Sequence, residues 1–255
     1  YVMLKSSFYK FTTGTTTSRV HSDMFATDLI VGYNFLPSLH VLAYLPYKVN
    51  NFSGQDVKYR TQGLGDGGLL ANYVIATNNK NVMATFTYSL SVKGGIELPT
   101  GDFIDDYRAK EVPANISNGS ETIDFMTGAR YIFKKKNTTL ISDYTFKYNT
   151  ENEAAYRFGN QHSVSLLAAQ RFMRSIVVFT PYAGVAGEFD GADFYHTLEQ
   201  HGTTGESVFL NTGLEVGFSD YILGCTADLP LYANFGEAAA SSPRVALRLA
   251  YLFNN

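Results

Sequence analysis

The sequence contains no tryptophan, one cysteine and no run of eighteen consecutive apolar residues. Because a membrane-spanning helix needs about 20 predominantly apolar residues, a spanning helix is excluded. The single Cys225 cannot form an internal disulfide bond. Charged residues are also scarce, at 17% of the chain against about 25% in typical soluble proteins. The net charge is -3, so the composition lacks the basic footprint that indicates nucleic-acid binding.

Tyrosine and phenylalanine are abundant instead, with 18 and 19 copies, and apolar residues alternate with polar ones. The clearest alternation covers residues 82–98, VMATFTYSLSVKGGIEL. Its even-numbered positions carry no charge and are mostly apolar, whereas its odd-numbered positions are mostly small or polar and include Lys93 and Glu97. A period of two indicates a β-strand, since successive side chains leave opposite faces. At about 3.3 Å per residue this stretch is long enough to cross a bilayer, so we predict a transmembrane strand between lipid and a polar lumen.

The same alternation recurs along the chain and predicts about twelve strands. Short turns alternate with longer loops, which is typical of outer-membrane barrels with tight periplasmic turns. Every backbone group in lipid must be paired, so the sheet must close. The sequence therefore predicts an all-β fold, a transmembrane antiparallel up-and-down β-barrel that forms a single domain over residues 1–255, with both termini periplasmic. A soluble β-sandwich is the competing fold. The predicted strands are residues 1–12, 24–35, 40–49, 64–77, 82–98, 123–133, 140–148, 158–172, 176–186, 208–218, 221–231 and 245–253.

Aromatic side chains are expected where a barrel meets the two membrane interfaces. The candidates for these girdles are Tyr33, Tyr47, Tyr73, Tyr88, Tyr131 and Tyr251.

Charged side chains collect on the predicted inner face. Turning Lys93 or Arg130 toward lipid would cost about 2–4 kcal/mol at the bilayer midplane, which supports the inward orientation. Two interpretations stay open: the charges pair across a narrow lumen and fill it, or a subset of them lines a permeation path. About twelve strands lie between the filled eight-stranded barrels and the open porins, so strand number does not decide. The candidate lumen-lining residues are Asp28, His40, Asp66, Lys93, Glu97, Asp124, Arg130, Asp143, Lys147, Glu215, Asp228 and Arg248, and Arg171 is assigned to the same face.

Asp66 lies in the glycine-rich sequence GLGDGG. This is not a phosphate-binding loop, because the Gly-Lys-Ser/Thr end and a following helix are missing. Glycines permit a bend or a close backbone approach, so we predict a bend at the start of a strand with an inward carboxylate. The alternative is a functional contact, in which that carboxylate accepts a hydrogen bond from an arginine or tyrosine on a neighbouring strand.

Several stretches resemble a known family. LGDGGLLANYVI and the following GGIELPTGDF resemble the outer-membrane proteins known as meta-pathway phenol-degradation transporters. YRFGNQHSVSL and NTGLEVGF resemble a branch of outer-membrane transporters in that group. The resemblance extends from about Gly63 to the C-terminus. It implies an outer-membrane β-barrel that is related in style to channels for hydrophobic compounds.

Two predicted loops concentrate potential metal ligands. Carboxylates and imidazoles bind divalent metals, but neither spacing matches a known site, and the EF-hand pattern is missing. We therefore expect no metal and no cofactor. The residues concerned are Asp190, Asp193, His196, Glu199 and His201 in one loop, and Asp102, Asp105, Asp106 and Glu111 in the other.

A lipid-modifying enzyme would need a nucleophile with a histidine and an acid in reach. The candidate sets are His162 with Ser163, and His196 with Ser207 and Asp193. Neither set lies in a recognisable nucleophile turn, so we expect no enzyme.

The sequence thus favours an outer-membrane channel or transporter of a Gram-negative bacterium, through which small, including hydrophobic or aromatic, solutes diffuse. The alternative is a non-transporting scaffold or accessory barrel subunit of an outer-membrane protein complex. A continuous path a few ångströms wide would favour the channel, and a lumen filled by side chains would favour the scaffold. The expected partners are outer-membrane lipid and lipopolysaccharide, a small-molecule solute and, for the alternative, protein subunits, with no nucleic acid.

Overall fold

The computed structural model describes residues 1–13, 20–54, 58–79, 84–104, 114–234 and 240–253. Almost all regular structure in these residues is β-strand, apart from one 3-10 turn at Ala114–Ile116. None of the helical structure in the described ranges is long and apolar enough to span a membrane. The strands are β1 (Val2–Thr13), β2 (Val20–Leu36), β3 (Leu39–Ser53), β4 (Lys58–Leu64), β5 (Gly67–Thr77), β6 (Thr87–Leu98), β7 (Asp124–Lys135), β8 (Thr138–Tyr148), β9 (Tyr156–Arg157), β10 (Gln161–Gln170), β11 (Phe172–Arg174), β12 (Val177–Asp190), β13 (Phe194–Tyr195), β14 (Leu198–Glu199), β15 (Gly205–Phe218), β16 (Tyr221–Asn234), β17 (Ala240–Ser241) and β18 (Arg244–Tyr251).

Twelve of these strands form a closed antiparallel barrel. Their order around the wall is β1, β2, β3, β5, β6, β7, β8, β10, β12, β15, β16 and β18, which follows the chain. The ring closes where β1 pairs with β18, with Val2 opposite Tyr251. Each of these twelve strands has a paired neighbour on both sides, as a β-structure in lipid requires, whereas among the described residues the short β4 pairs with β3 alone. The prediction of an up-and-down barrel of about twelve strands is confirmed.

The two faces of the wall differ as the alternation predicts. Phe86, Leu214 and Leu249 on one face are 41–45% exposed, whereas Lys93 on the other face is only 5% exposed. In a closed barrel the exposed apolar face is the outer one, and its side chains suit contact with lipid. Five of the six tyrosines predicted for the girdles are also exposed, namely Tyr33, Tyr47, Tyr73, Tyr131 and Tyr251.

Two predicted strands are shorter than expected. The stretch 82–98 becomes a strand only at Thr87, and Ala84–Phe86 form a bend, while Val82 and Met83 lie outside the described residues. The side chain of Asn78 donates to the Phe86 carbonyl and accepts from the Tyr88 amide, so it takes the backbone groups that would extend the ladder. The predicted strand 158–172 divides into β10 and the short β11, which leaves Arg171 between them.

The two ends of the barrel have different connections. At the turn end, which also carries Val2 and Tyr251, residues 37–38, 136–137 and 219–220 form tight connections, whereas the connection between β5 and β6 spans residues 78–86. Lys136 and Ser219 have φ of 53° and 50°, as tight hairpin turns require. At the opposite loop end, the connections between β6 and β7, β8 and β10, and β12 and β15 are longer.

Two small apolar clusters lie at the loop end. One joins Phe52 of β3 with Ile104 and Ile116, and the other joins Phe103, Ala114 and Tyr156. Phe52 lies on the charge-bearing face of β3, opposite in direction to exposed residues such as Tyr47. The long connections therefore fold into the barrel mouth and pack there, rather than extending away from it.

Candidate channel lumen

One group of charges joins three neighbouring strands, β6, β7 and β8. Lys93 Nζ lies 2.5 Å from Asp143 Oδ1, and it donates to Thr145 Oγ1 at 2.5 Å. Arg130 Nε donates to Asp143 Oδ2 at 2.6 Å. Lys93 reaches across β7 at Gly128, where an added Cβ would lie 3.0 Å from the Lys93 Cε. The sequence-predicted residues Lys93, Arg130 and Asp143 thus form one ion-paired cluster.

A second cluster lies nearer the loop end on the same strands. Lys147 pairs with Glu97 and with Asp124, whose Oδ2 is 3.3 Å from its Nζ. Asp124 is fully buried, and its Oδ1 accepts from Thr122 Oγ1 at 2.8 Å and from the Thr150 amide at 2.9 Å. Such partners are needed because an uncompensated buried charge is costly. These contacts tie the barrel wall to the connections at the loop end.

Tyr44 extends this second cluster across the wall. Its hydroxyl donates to Glu97 Oε2 at 2.8 Å, although β5 lies between β3 and β6. A contact across an intervening strand requires side chains that share one face of the sheet.

The strands on the other side of the barrel carry separate pairs. Arg248 lies 3.0 Å from Glu215 and donates to the Tyr182 hydroxyl at 2.9 Å. Asn211 donates to Asp228 through its side-chain amide. Glu215, Asp228 and Arg248, all predicted from sequence, therefore have polar partners on the charge-bearing face.

The pair of Arg244 and Glu188 was missed by the sequence analysis. Arg244 Nη1 donates to both oxygens of Glu188 at 2.8 Å, and its guanidinium lies 4.2 Å from the centre of the Phe209 ring. Both residues fell just outside predicted strands 176–186 and 245–253. In the structure β12 continues to Asp190 and β18 begins at Arg244, so the same alternation, extended by two residues, would have found them.

Asp28 and His40 stand apart from these clusters. Asp28 lies 3.8 Å from Lys5, and the His40 ring stacks on Tyr1 at a centroid distance of 5.8 Å. Arg171 lies between β10 and β11, where its side chain is exposed and its backbone amide donates to the Asn137 carbonyl of the β7–β8 turn.

Asp66 occupies a break in the wall between β4 and β5. At this point β3 changes partner, with Tyr47 opposite Leu64 of β4 and Tyr44 opposite Gly68 of β5. The Gly65 amide donates to the Pro46 carbonyl at 2.8 Å and holds the bend. The predicted bend is therefore present, and the described hydrogen bonds of Asp66 come from groups other than the arginine or tyrosine of the alternative.

The partners of Asp66 come from the β6–β7 connection. Its Oδ1 accepts from the Gly101 amide at 3.0 Å, and its Oδ2 accepts from the Ser120 amide at 2.6 Å and the Ser120 hydroxyl at 2.9 Å. Sequence proximity gives no signal for such contacts, since 35 and 54 residues separate the partners.

The inward segment, residues 114–122, lies against the same face of β3. Lys48 Nζ donates to the Asn118 carbonyl at 2.9 Å, and Asn50 Nδ2 donates to the Ile116 carbonyl at 2.9 Å. The Thr61 hydroxyl donates to the same Ile116 carbonyl at 2.8 Å. Three polar side chains of β3 and β4 thus bind carbonyls of the inward segment.

A cavity of about 310 Å³ lies on the charge-bearing face next to the inward segment. Four charged and three apolar side chains line it together with Tyr44, which has both characters. On β3, Leu42 to Lys48 border the cavity, while Lys48 to Phe52 contact the inward segment. The segment therefore lies on the loop-end side of the cavity. The lining residues are Asp28, Ile30, Leu42, Tyr44, Pro46, Lys48, Asp66 and Glu97.

The sequence candidates for metal binding take other contacts. Asp193 accepts from the Tyr156 hydroxyl at 2.5 Å and from the Gly159 amide at 2.7 Å. Burial raises the pKa of Asp193 above its usual range, and these two hydrogen bonds lower it in part. The described residues hold no group of three histidine, cysteine or acidic side chains arranged for a metal ion. Asp105, Asp106 and Glu111 lie outside the described residues.

The sets proposed for catalysis are not brought together in the described contacts. The His162 Nδ1 shares a hydrogen bond of 2.9 Å with the Tyr144 hydroxyl on the outer face. Asp193 binds Tyr156 and Gly159, as above, whereas Ser207 is buried on β15.

Comparison with solved structures shows the fold of outer-membrane barrels. The COG4313 outer membrane channel from Pseudomonas putida F1 matches with a TM-score of 0.69 at 14% identity, over 99% of this chain and 95% of that chain. The transport unit of the autotransporter AIDA-I from Escherichia coli matches with a TM-score of 0.55 at 10% identity, over 99% and 90% of the two chains. The NanC porin matches with a TM-score of 0.50 at 10% identity, over 99% and 100%.

No curated protein sequence matches the chain. A family model does match, over residues 2–222, and its description is "Putative MetA-pathway of phenol degradation". This match covers most of the twelve-stranded barrel, and it agrees with the resemblance in the glycine-rich and Leu-Pro-Thr-Gly stretches. The chain belongs to the family described as "Putative MetA-pathway of phenol degradation".

Proposed function

We propose that the protein is a bacterial outer-membrane channel through which small solutes diffuse. The observation that carries this proposal is the cavity of about 310 Å³ on the charge-bearing face of a closed barrel. A wall that is apolar outside and polar inside supports a location in the outer membrane, in contact with lipid and lipopolysaccharide. The channel fold of the P. putida protein supports the same function.

The charged residues predicted from sequence would form the wall of the passage. Ion pairs such as Lys93 with Asp143 and Arg248 with Glu215 keep these side chains against the wall, since each charge already has a partner. A solute would then pass between the two paired sides without breaking either pair. The residues proposed to line the passage are Asp28, His40, Asp66, Lys93, Glu97, Asp124, Arg130, Asp143, Lys147, Glu215, Asp228 and Arg248.

The composition of the cavity favours solutes with both apolar and polar parts. Ile30, Leu42 and Pro46 offer apolar surface, while Asp28 and Tyr44 offer hydrogen-bonding groups beside it. A small hydroxylated aromatic compound combines these two characters. The family description, which refers to phenol degradation, points to the same class. Passive diffusion of such a solute requires neither a cofactor nor a catalytic residue.

A non-transporting scaffold is the second candidate. It is favoured by the inward segment, which lies in the barrel mouth on the loop-end side of the cavity and is held there by side chains of β3 and β4. A scaffold within an outer-membrane complex would bind protein partners through its wall or loops and would conduct nothing.

Planar-bilayer recordings and liposome swelling with the purified protein separate the two candidates. The channel predicts discrete conductance steps and faster entry of phenol-sized solutes than of disaccharides. Asp28→Asn, which removes a charge from the cavity, should alter the ion selectivity measured as a reversal potential. The matched control is Asp23→Asn on the exposed outer surface, which should leave it unchanged. Absence of conductance at every voltage, together with absence of swelling, would refute the channel and favour the scaffold.

A further inference from the structure

We propose that Asp66 is the positioning residue that holds the inward segment across the cavity, and that it thereby sets the largest solute that can pass. The inference rests on the proposed channel function, because a size limit has meaning only for a solute path. Asp66 itself need not touch the solute for this role, since it acts through residues 114–122.

Asp66 binds both legs of the β6–β7 connection. Gly101 belongs to the leg that leaves β6, and Ser120 belongs to the leg that returns to β7. Thr100 also binds the first leg to the wall, since its hydroxyl donates to the Gly65 carbonyl at 2.7 Å, but within the described ranges Asp66 is the wall side chain that binds both legs. One carboxylate therefore binds both ends of the β6–β7 connection, which contains the inward segment. We call these two points, Gly101 and Ser120, the base of the connection.

The two legs are in direct contact beside this carboxylate. A Cβ added at Gly119 would overlap both the Gly101 carbonyl and Asp66 Oδ1. A Cβ added at Gly101 would lie 2.9 Å from the Gly119 backbone. Glycine at both positions allows the legs to approach closely enough for a single carboxylate to bind them.

The chemistry of the site requires a carboxylate. Asp66 is 6% exposed, and it accepts from two backbone amides and one hydroxyl. Hydrogen bonds to an ionised acceptor are roughly twice as strong as neutral ones. An asparagine in its place has one acceptor oxygen and an NH₂ group that would face a donor, so at least one leg would lose its partner.

Other contacts also hold the inward segment. Near its end, the Gly119 amide donates to the Asp102 carbonyl at 3.0 Å, and Asn152 donates to the Ser120 carbonyl at 3.1 Å. Lys48, Asn50 and Thr61 bind carbonyls of Ile116 and Asn118, and Ile116 packs against Phe52. These contacts determine where the segment lies once its base is fixed. If the base is released, the inward segment can move away from the cavity. The cavity then opens to solvent at the loop end.

The first measurement reports the position of the segment and does not depend on conduction. Ser117 is buried, with 7% exposure, and cysteine is close to it in size. We would introduce Ser117→Cys together with Cys225→Ser, and follow labelling by a membrane-impermeant maleimide in whole cells. Adding Asp66→Asn should speed labelling about tenfold or more, whereas adding the control Asp23→Asn should not. Equal labelling rates with and without Asp66→Asn would overturn the proposal.

The second measurement reports the size limit. In liposome swelling, Asp66→Asn should admit oligosaccharides that the unmodified protein excludes, and its single-channel conductance should rise. Faster labelling with an unchanged size limit would overturn the proposal, since the segment would then move without controlling passage. If neither protein conducts or swells, the channel function itself fails, while the labelling result still decides whether Asp66 holds the segment.

A folding check keeps both measurements interpretable. Heat-modifiable gel mobility should show a folded barrel for every variant. If Asp66→Asn does not fold, Ser120→Ala removes the hydroxyl donor to Asp66, together with the contacts of that hydroxyl with Thr122, and keeps both backbone donors. It should give a smaller increase in labelling and in size limit. No increase in a folded Ser120→Ala protein would count against the proposal.

Discussion

The two ends of the barrel hold their structure by different means. At the turn end, tight hairpins join the strands, and Met173 and Ile176 are 66% and 69% exposed. At the loop end, Ile116 and Tyr156 are 0% and 2% exposed inside small clusters, and buried polar groups surround them. The wall thus depends on the alternation of apolar and polar residues, on hairpin turns and on a lipid environment. The loop end instead resembles the small core of a soluble protein, packed inside the barrel mouth. Substitutions of the same kind should therefore have different effects at the two ends.

The largest expected difference concerns a lysine. Lys147→Met should destabilise the loop end by about 3–5 kcal/mol, because it leaves Glu97 and the fully buried Asp124 without their cation. Lys135→Met removes an exposed lysine at the turn end and should have little effect. The measurement is the temperature at which heat-modifiable mobility is lost in detergent. Equal shifts for the two variants would contradict the difference between the ends.

A pair of isoleucines tests the apolar clusters. Ile116→Ala should cost about 2–5 kcal/mol, since it leaves a cavity in a fully packed site. Ile176→Ala at the turn end changes a residue that is 69% exposed and should cost almost nothing in detergent. Because the barrel wall does not depend on Ile116, we expect the loss to appear as local protease sensitivity of the loop end rather than as unfolding of the barrel. Global unfolding at a lower temperature in Ile116→Ala would show that the two parts are coupled.

This division also explains what the sequence could predict. Alternation of apolar and polar residues depends on each residue and its near neighbours, so it located the twelve strands, the outward Leu214 and the inward Lys93. The strand ends were less accurate, because Asn78 terminates β6 through a side-chain contact that has no periodic signal. The contacts of Asp66 with Gly101 and Ser120 depend on how a long connection folds back, and no local pattern records that. The partners within each ion pair could not be predicted either. Alternation assigns a charged residue to one face of the sheet, but it does not specify which residue pairs with it.

Two glycine-to-alanine substitutions test how closely the backbone packs at the loop end and on the barrel wall. Gly119→Ala should cost about 1–3 kcal/mol, because the new Cβ overlaps the Gly101 carbonyl and nearby atoms that cannot move freely. Gly94→Ala places its Cβ in open space on the outer face of β6 and should be neutral or slightly stabilising. Thermal stability and maleimide labelling of Ser117→Cys measure the two effects. Similar behaviour of both alanine variants would argue against close contact between the legs of the β6–β7 connection.

The smallest expected effect is a dependence of the loop end on pH. Burial raises the pKa of Asp193 above its unfolded value, so the folded connection binds a proton more readily than the unfolded one. The resulting stabilisation is complete below the unfolded pKa and is lost as pH rises through the folded pKa. Hydrogen-exchange protection of the backbone around Gly159 and Asp193, corrected for intrinsic rates, should therefore be greater at pH 4 than at pH 7. The effect is small because the Tyr156 hydroxyl and the Gly159 amide already stabilise the carboxylate in part. Asp193→Asn cannot titrate and should reduce the difference between the two pH values, whereas amides of the turn end should show no such difference in either protein.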